Sequence, residues 1–309
     1  MESVVVTGGS GFIGSHLCDL LLGKGHRVFC VDNFCTGQKK NVAHLLGNKN
    51  FSLIEHDISL PLRLEEKIGQ VFNLASPASP ADFEKIPFEI IRTNTDGVKN
   101  MLEFAKKNNA VFLQASTSEV YGEPLEHPQR ESYNGNVSTI GERACYDESK
   151  RLAETIVGLY RRKHGVDAKI IRIFNTYGPR MRENDGRVIP NFIPSALAGT
   201  PVTVYGNGSQ TRSFCYVSDL VAGIYSMMNS SEAGPVNLGN PQEITVKALA
   251  EKTVALTGSK SRIVFKPLPQ GDPTMRKPDI SLAKKALGWA PKVSLDDGLK
   301  KTIDYFAGR

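Results

Sequence analysis

The chain is poor in the features that mark a membrane protein, a disulfide scaffold or a metalloprotein. None of its apolar runs approaches the roughly 20 residues that a membrane helix needs. The longest, around Leu17–Leu22, is interrupted by Cys18 and Asp19. The N-terminus enters a strand at once, Ser3-Val4-Val5-Val6-Thr7, with no basic, apolar and small-residue signal pattern before it. No membrane partner is expected, and the expected location is cytoplasmic. Cysteine is scarce: five, at 18, 30, 35, 145 and 215, an odd count with no CxxC and no Cys/His metal spacing. Such thiols suit a reducing compartment as small hydrophobes, and no metal is expected. The net charge of +6 is scattered rather than blocked. Arg161-Arg162-Lys163-His164 falls where a helix C-terminus favours cations, so a nucleic-acid partner is not expected. Internal repeats and low-complexity segments are absent too.

What is present is an ordinary globular balance, 40% apolar and 23% charged over 309 residues, enough for one large domain or two modest ones. Apolar strands at Val4–Thr7, Arg27–Asp32, Phe51–Glu55, Val71–Leu74, Ala110–Ala115 and Lys169–Ile173 alternate with helical stretches, notably Gly11–Leu22, Ile86–Asn108 and Tyr146–His164. Continuous apolar strands between amphipathic helices predict a doubly wound parallel sheet of Rossmann type. From about Thr176 prolines from Pro179 to Pro291, Pro269 and Pro273 among them, break the chain into short elements. The expected division is a dinucleotide-binding domain over 1–176, rejoined by about 212–232. A smaller, irregular α/β substrate domain would take 177–211 and 233–309.

Thr7-Gly8-Gly9-Ser10-Gly11-Phe12-Ile13-Gly14 follows the first strand and opens the first helix. It reads as GxGxxG from Gly9 and as GxxGxxG from Gly8. Glycines there let backbone N–H groups and a helix N-terminus approach a pyrophosphate. Alone the motif is weak; its setting between strand and helix strengthens it. Asp32 ends the second strand, 18 residues beyond Gly14. A carboxylate there holds ribose hydroxyls and repels a 2′-phosphate, favouring NAD over NADP. Asp57-Ile58, past the third strand, is placed to meet the adenine, although Asp57 also suits a turn.

Tyr146-Asp147-Glu148-Ser149-Lys150 begins a helix with Tyr146 and Lys150 on one face at i, i+4. A tyrosine near its free pKa of about 10 is a poor base, and bringing it to about 7 takes roughly 4 kcal/mol of phenolate stabilisation. A neighbouring ammonium and a positive nicotinamide are suited to supply that. The stretch ASTSEVYG (115–122) ends the fifth strand in Ser116, Thr117, Ser118 and Glu119.

TGGSGFIGSHL (7–17), Asp32, Thr117 and YDESK (146–150) together resemble the extended short-chain dehydrogenase/reductases, in the NAD-dependent epimerase/dehydratase branch. NLASPASP (73–80), STSEVYG (116–122), RACYDESKR (143–151), RIFNTYGPRM (172–181), NDGRVIPNF (184–192), VYGNGSQTRSF (204–214), YVSDL (216–220) and RKPDI (276–280) resemble its UDP-glucuronate decarboxylase group, which makes UDP-xylose. The likeness covers nearly the whole chain. Eukaryotic members often carry a membrane anchor before the first strand; the sequence given shows no such segment, and a free cytosolic enzyme is the expectation.

The resemblance implies bound NAD as catalyst. Tyr146, helped by Thr117, takes the sugar 4-OH proton as C4 is oxidised. The 4-keto sugar loses CO2, C5 is protonated and C4 is reduced again. Lys150 would tune Tyr146 and hold the nicotinamide ribose. Ser118, Glu119 and Arg276 would serve the steps after oxidation; a capped turn and a surface arginine are the plain alternatives. The cofactor wall is expected from Gly8, Gly11, Phe12, Ile13, Gly14, Asp32, Asn33, Asp57, Ile58, Leu74, Ala75, Ser76, Asn94, Tyr146 and Lys150. The UDP-sugar is expected to meet Asn175, Arg187, Arg212 and Arg276 at its phosphates and ribose. Gln210 would reach the ribose, Val188, Phe192 and Tyr205 would flank the uracil, and Pro77, Ala78 and Ser79 would shape the sugar pocket beside Ser118, Glu119 and Tyr146. Relatives pair through two long helices, so Ile86–Asn108 and Tyr146–His164 are expected to form a homodimer.

Three rivals remain at this stage. An NDP-sugar 4,6-dehydratase shares the first oxidation but typically places Asp-Glu after the hydroxyl residue, where this chain has Ser118-Glu119. A 4-epimerase needs no such carboxylate. A non-catalytic NAD-binding sensor or scaffold has no chemical need for Thr117, Tyr146 and Lys150 together.

Overall fold

A computed structural model describes residues 1–183, 185–267 and 275–308. Pro269, Pro273 and Asn184 of the NDGRVIPNF stretch therefore lie outside the described residues. Six strands in chain order, β1 (Ser3–Thr7), β2 (Arg27–Asp32), β3 (Phe51–Glu55), β4 (Gln70–Asn73), β5 (Val111–Thr117) and β6 (Ala168–Ile173), build one parallel sheet. A seventh strand, Val236–Leu238, completes it in the order Val236–Leu238, β6, β5, β4, β1, β2, β3. The chain thus returns to this sheet as far as Leu238, beyond the 212–232 return expected. That last strand is only three residues between Pro235 and Gly239, too short for an apolar run to reveal.

Both faces of the sheet are covered. Val4, Val5 and Val6 are all fully buried. Val4 and Val6 pack with Leu17, Cys18 and Leu21 of helix α1 (Phe12–Gly23) on one face. Val5 packs with Val71, Met101 and Leu102 on the other. Each such side chain contributes about 1.5–3 kcal/mol of burial, which is why these strands carry no polar alternation. Parallel pairing sets Thr7 opposite Val31 and Asn73, and Thr117 opposite Ile173. The carboxyl ends of the strands consequently line up along one edge, the place where such sheets bind ligands.

The expected helix over Ile86–Asn108 is interrupted. It runs as Pro87–Arg92, a wide turn of π type at Thr93–Gly97, and Val98–Asn108. Gly97 packs so closely on Ile58 that a Cβ would sit 2.9 Å from its side chain. Asn94 turns inward in that bulge to donate to Ser149 Oγ at 3.0 Å. The long helix begins at Ala144 and ends at His164, stopped by Gly165 at φ +66°.

The second lobe is built from short pieces. Glu243–Thr245, Thr211–Ser213 and Met275–Arg276 form one small sheet, and Ile263–Lys266 pairs with Val202–Tyr205 in another. Helices Val188–Leu197 and Val246–Thr257 pack beside them. Among the described residues no helix is long and apolar enough to cross a membrane.

Candidate active site

A cleft of about 840 Å³ runs along the carboxyl edge of the sheet and up against the second lobe. At one end lies the glycine loop. Gly8 sits at φ +64°, and a Cβ there would be 2.9 Å from the Ala75 backbone. A Cβ at Gly14 would lie 2.1 Å from the Gly8 carbonyl oxygen, so α1 can start this close to β1 only with glycine. Gly11 is the N-cap of α1 and offers no side-chain cap. The first-turn N–H groups of the helix therefore remain available to an anion, an arrangement that fits a dinucleotide pyrophosphate. Asp32 reaches the same wall, its carboxylate accepting the N–H of Ser10 at 2.9 Å and of Phe34 at 2.8 Å. Burial pushes its carboxyl above the usual range, and those two bonds offset part of the rise.

The middle of the cleft holds the residues expected to react. Thr117 ends β5, and the next turn, Ser118–Tyr121, carries Ser118 and Glu119. Thr117 Oγ1 accepts the Glu119 N–H at 3.2 Å, which fixes the turn. From the facing helix come Tyr146 and Lys150. Tyr146 is buried, stacked on Phe83 at 5.0 Å between ring centroids and hydrogen-bonded to Thr117. Lys150 Nζ lies 5.8 Å from the Tyr146 ring centroid and donates to the Ala115 carbonyl at 3.0 Å.

Electrostatics here follow from burial and charge. Burial holds the Tyr146 hydroxyl well above its ordinary pKa; the bond to Thr117 pulls it down, and the Glu119 charge adds to the rise. These residues on their own do not bring the phenol toward neutrality. Lys150 itself is brought down to about 7 by burial, with Glu154 opposing the shift. Glu119 behaves in the opposite way. Burial alone would raise it, but Arg276, Arg143 and the Ser118 hydroxyl hold it at about 2. Arg143 donates to Glu119 Oε2 at 2.6 Å, Arg276 to the same oxygen at 3.3 Å, and Ser118 Oγ to Oε1 at 3.1 Å. The group is a firmly ionised carboxylate between two guanidiniums.

The far end belongs to the second lobe, where Asn175, Arg187, Val188, Phe192, Tyr205, Gln210, Arg212 and Arg276 all line the cleft. Arg187 is paired with Asp185, and Arg212 is buried with Nη1 on the Thr211 carbonyl at 2.9 Å. Pro77, Ala78 and Ser79 line the wall opposite. A carboxylate-paired arginine and a buried one at this end suit an anionic ligand such as a diphosphate.

Every residue expected at the site reaches the cleft except Asn94. It is fully buried, bonded to Ser149, and stands behind the wall rather than in it. The π turn Thr93–Gly97 carries Asn94 where its amide bonds the helix Ala144–His164. Sequence reasoning missed Arg143, Phe83, Arg182 and Asp185, which also line the cleft. Arg143 stands three residues before Tyr146, so helical spacing carried a signal for it. Arg182 meets Asp82 at 2.6 Å across a long sequence separation, which nothing local announces.

A Rossmann sheet, a glycine loop at an uncapped helix start and a Thr–Tyr–Lys set at the strand edge define a nucleotide-dependent enzyme of the epimerase/dehydratase type. The chain belongs to the family whose model is described as GDP-mannose 4,6 dehydratase, matched over residues 5–302. UDP-glucuronic acid decarboxylase 1 of Danio rerio is 54% identical over 306 residues, 99% of this chain and 73% of that protein. The Arabidopsis thaliana protein of the same name is 53% identical over 99% of this chain and 70% of its own length. Among solved structures, the UDP-glucose 4-epimerase of Thermotoga maritima with UDP-glucose superposes with a TM-score of 0.90 at 31% identity, covering 99% of each chain. The Bacillus cereus UDP-glucuronic acid 4-epimerase with UDP-glucuronic acid and NAD gives 0.89 at 28% identity, again over 99% of each.

Proposed function

We propose that the protein is an NAD-dependent UDP-glucuronate decarboxylase that forms UDP-xylose. The observation that carries this reading is the Thr117-Ser118-Glu119 strand end, with Glu119 held ionised between Arg143 and Arg276. Relatives of that name at 53–54% identity over nearly the full chain support it.

Gly8, Gly11, Gly14 and Asp32 would hold NAD, together with the expected wall from Asn33 to Ser76. NAD held there would supply reversible hydride acceptance at C4, so none would be consumed. Tyr146 takes the 4-OH proton, with Thr117 orienting the hydroxyl. The Lys150 ammonium and the positive nicotinamide ring are the charges suited to offset what burial costs the phenolate. Once C4 is a ketone, the C5 carboxylate belongs to a β-keto acid and loses CO2. We assign Arg276 to hold the C5 carboxylate before it leaves, and ionised Glu119 with Ser118 to position the water that would protonate C5. Arg187 and Arg212 would take the diphosphate, Gln210 the ribose, and Phe192 with Tyr205 the uracil. The cofactor would thus sit on 1–176 with its return segment, and the nucleotide sugar against 177–211 and the C-terminal remainder.

Dehydration is the second reading. Expelling the C6 hydroxyl needs a general acid where Ser118 stands, and a serine is poorly suited to that task. A homodimer through the helical stretches 86–108 and 146–164 is supported by Phe88 of Pro87–Arg92 and Leu152 of Ala144–His164, which are 75% and 48% exposed. Light scattering at monomeric mass would exclude it. A cytoplasmic location is supported by the five free thiols, and cell fractionation tests it.

The deciding experiment incubates the protein with UDP-glucuronate and NAD+, following CO2 and the sugar by NMR. UDP-xylose is the expected product. Absence of CO2, or turnover of dTDP-glucose instead, would overturn the proposal.

A further inference from the structure

Arg276 enters the cleft from an element too short to hold it alone. Met275–Arg276 is a strand of two residues, paired in parallel with Thr211–Ser213, and the Ser213 hydroxyl donates to the Arg276 carbonyl at 3.1 Å. Its buried guanidinium is nevertheless closely placed, with Nη1 on the Gly122 carbonyl at 2.9 Å and Nη2 on Glu119 Oε2 at 3.3 Å. The residues after Arg276 supply the support. Gln129 donates its N–H to the Lys277 carbonyl at 2.9 Å and accepts the Asp279 N–H at 2.8 Å, a parallel bridge centred on Pro278. Its side chain completes the clamp: Oε1 accepts the Lys277 N–H at 2.8 Å, and Nε2 donates to the Glu126 carbonyl at 2.8 Å. Both backbone polar groups of Lys277 thus end on one residue. Gln129 is fully buried and stands outside the lining of the cleft.

We propose that Gln129 is a positioning residue for the step at C5, its side-chain amide holding Arg276 in register against Glu119. The partners leave that amide one orientation, since Lys277 offers a donor and Glu126 an acceptor. The same hub reaches the other half of the pair. Asn237 Nδ2 donates to the Gln129 carbonyl at 3.0 Å and to the Asp279 carbonyl at 3.1 Å, while its Oδ1 accepts the Tyr121 hydroxyl at 2.7 Å. Tyr121 closes the turn that carries Glu119. The segments bearing Arg276 and Glu119 are therefore joined through bonds behind the cleft as well as through their own contact. A second link, from Glu243 Oε2 to His127 at 3.1 Å and to Lys277 at 3.2 Å, lies at the partly exposed rim, where water weakens it. Loss of the amide deprives the Lys277 N–H of its acceptor and frees the short strand to move. A displacement of about 1 Å near reacting groups costs about a hundredfold in rate. Oxidation at C4 is insulated from this, because the bonds of Thr117, Tyr146 and Lys150 run to one another, to the Glu119 N–H and to the Ala115 carbonyl.

The inference rests on the decarboxylase reading, in which Arg276 holds the C5 carboxylate, and the test separates the two. Gln129→Met keeps the length of the side chain and removes both amide contacts while leaving the backbone bonds of residue 129 in place. The full NAD+-loaded chain is mixed with saturating UDP-glucuronate, and NADH absorbance and CO2 release are followed in the same turnover. NADH should appear within about twofold of the parental rate, whereas CO2 release should slow about tenfold or more, so that NADH accumulates. Equal loss of both rates, the mark of a general structural defect, overturns the proposal, and so do parental rates for both. Should Gln129→Met fail to fold, by near-ultraviolet circular dichroism, Gln129→Asn supplies the same comparison, its amide one carbon too short to span both contacts. Absence of CO2 from the unaltered protein would instead remove the decarboxylase reading itself.

Discussion

Glu154 accepts the Ser116 hydroxyl at 2.6 Å, one helical turn beyond Lys150. Arg172 of β6 grips the same carboxylate with Nε at 3.0 Å and Nη2 at 2.8 Å, and reaches the Tyr121 hydroxyl at 3.0 Å. Lys150 meanwhile donates to Ala115, the neighbour of Ser116. The helix is thereby pinned to the strand end that carries Thr117, and Tyr146 and Lys150 keep their geometry through this network.

Glu154 also opposes the burial that lowers Lys150. Removing that charge in Glu154→Gln should lower the Lys150 pKa further, so the ammonium is lost at lower pH. The groups facing Lys150 are Tyr146 and Glu154. We expect the alkaline limb of the kcat profile to move downward in pH. A profile identical to the parent would remove Glu154 from the positioning role.

Tyr146→Phe deletes the hydroxyl bonded to Thr117 while keeping the stack on Phe83. Turnover should fall by about a thousandfold, the scale of a lost general base. NAD binding, read by fluorescence titration, should persist. Near-normal turnover would refute the assignment.

Glu119→Gln leaves Arg143 and Arg276 with a neutral acceptor in place of the carboxylate they now share. If Glu119 serves the steps after oxidation, the overall rate should drop by about a hundredfold. A rise in absorbance from NADH, or 4-keto sugar released into solution, should accompany it. An unaltered rate of CO2 formation would count against the role.

Asp32→Ala removes the carboxylate at the end of β2. Affinity for NAD should weaken about tenfold to a hundredfold, the value of charged hydrogen bonds, and binding of NADP should no longer be disfavoured. Unchanged preference would contradict the ribose contact.

Lys150 offers a test on stability. Burial lowers it to about 7 from an ordinary 10.5, so between those values the unfolded chain binds a proton that the folded chain has released. The folded state therefore gains stability as pH rises through that window, and the penalty is full below about 7. Lys150→Met removes it. Melting temperatures should show the variant ahead of the parent at pH 7, with the gap narrowing toward pH 10. A gap independent of pH would argue that Lys150 is not held in low dielectric.

Much of the fold was legible because a parallel sheet buries both faces, which turns each strand into an uninterrupted apolar run such as Val4-Val5-Val6. The glycine loop was legible for a steric reason: Gly14 lies against the Gly8 carbonyl, so no other residue serves. Val236–Leu238 was not, since three residues carry no periodicity. The break at Thr93–Gly97 was not either, because it depends on Ile58 and Ser149, both distant in sequence.

Residue chemistry and local spacing thus determined the strands, the glycine loop and the Tyr146–Lys150 pair, each of which uses neighbours within one strand, turn or helix face. Only the tertiary structure decided the charges at the reactive centre. Arg276 reaches Glu119 from the second lobe, Arg143 from the long helix, and Asn94 withdraws behind the wall. Electrostatic balance in a buried cleft depends on distances across the folded chain, and no local pattern encodes those distances.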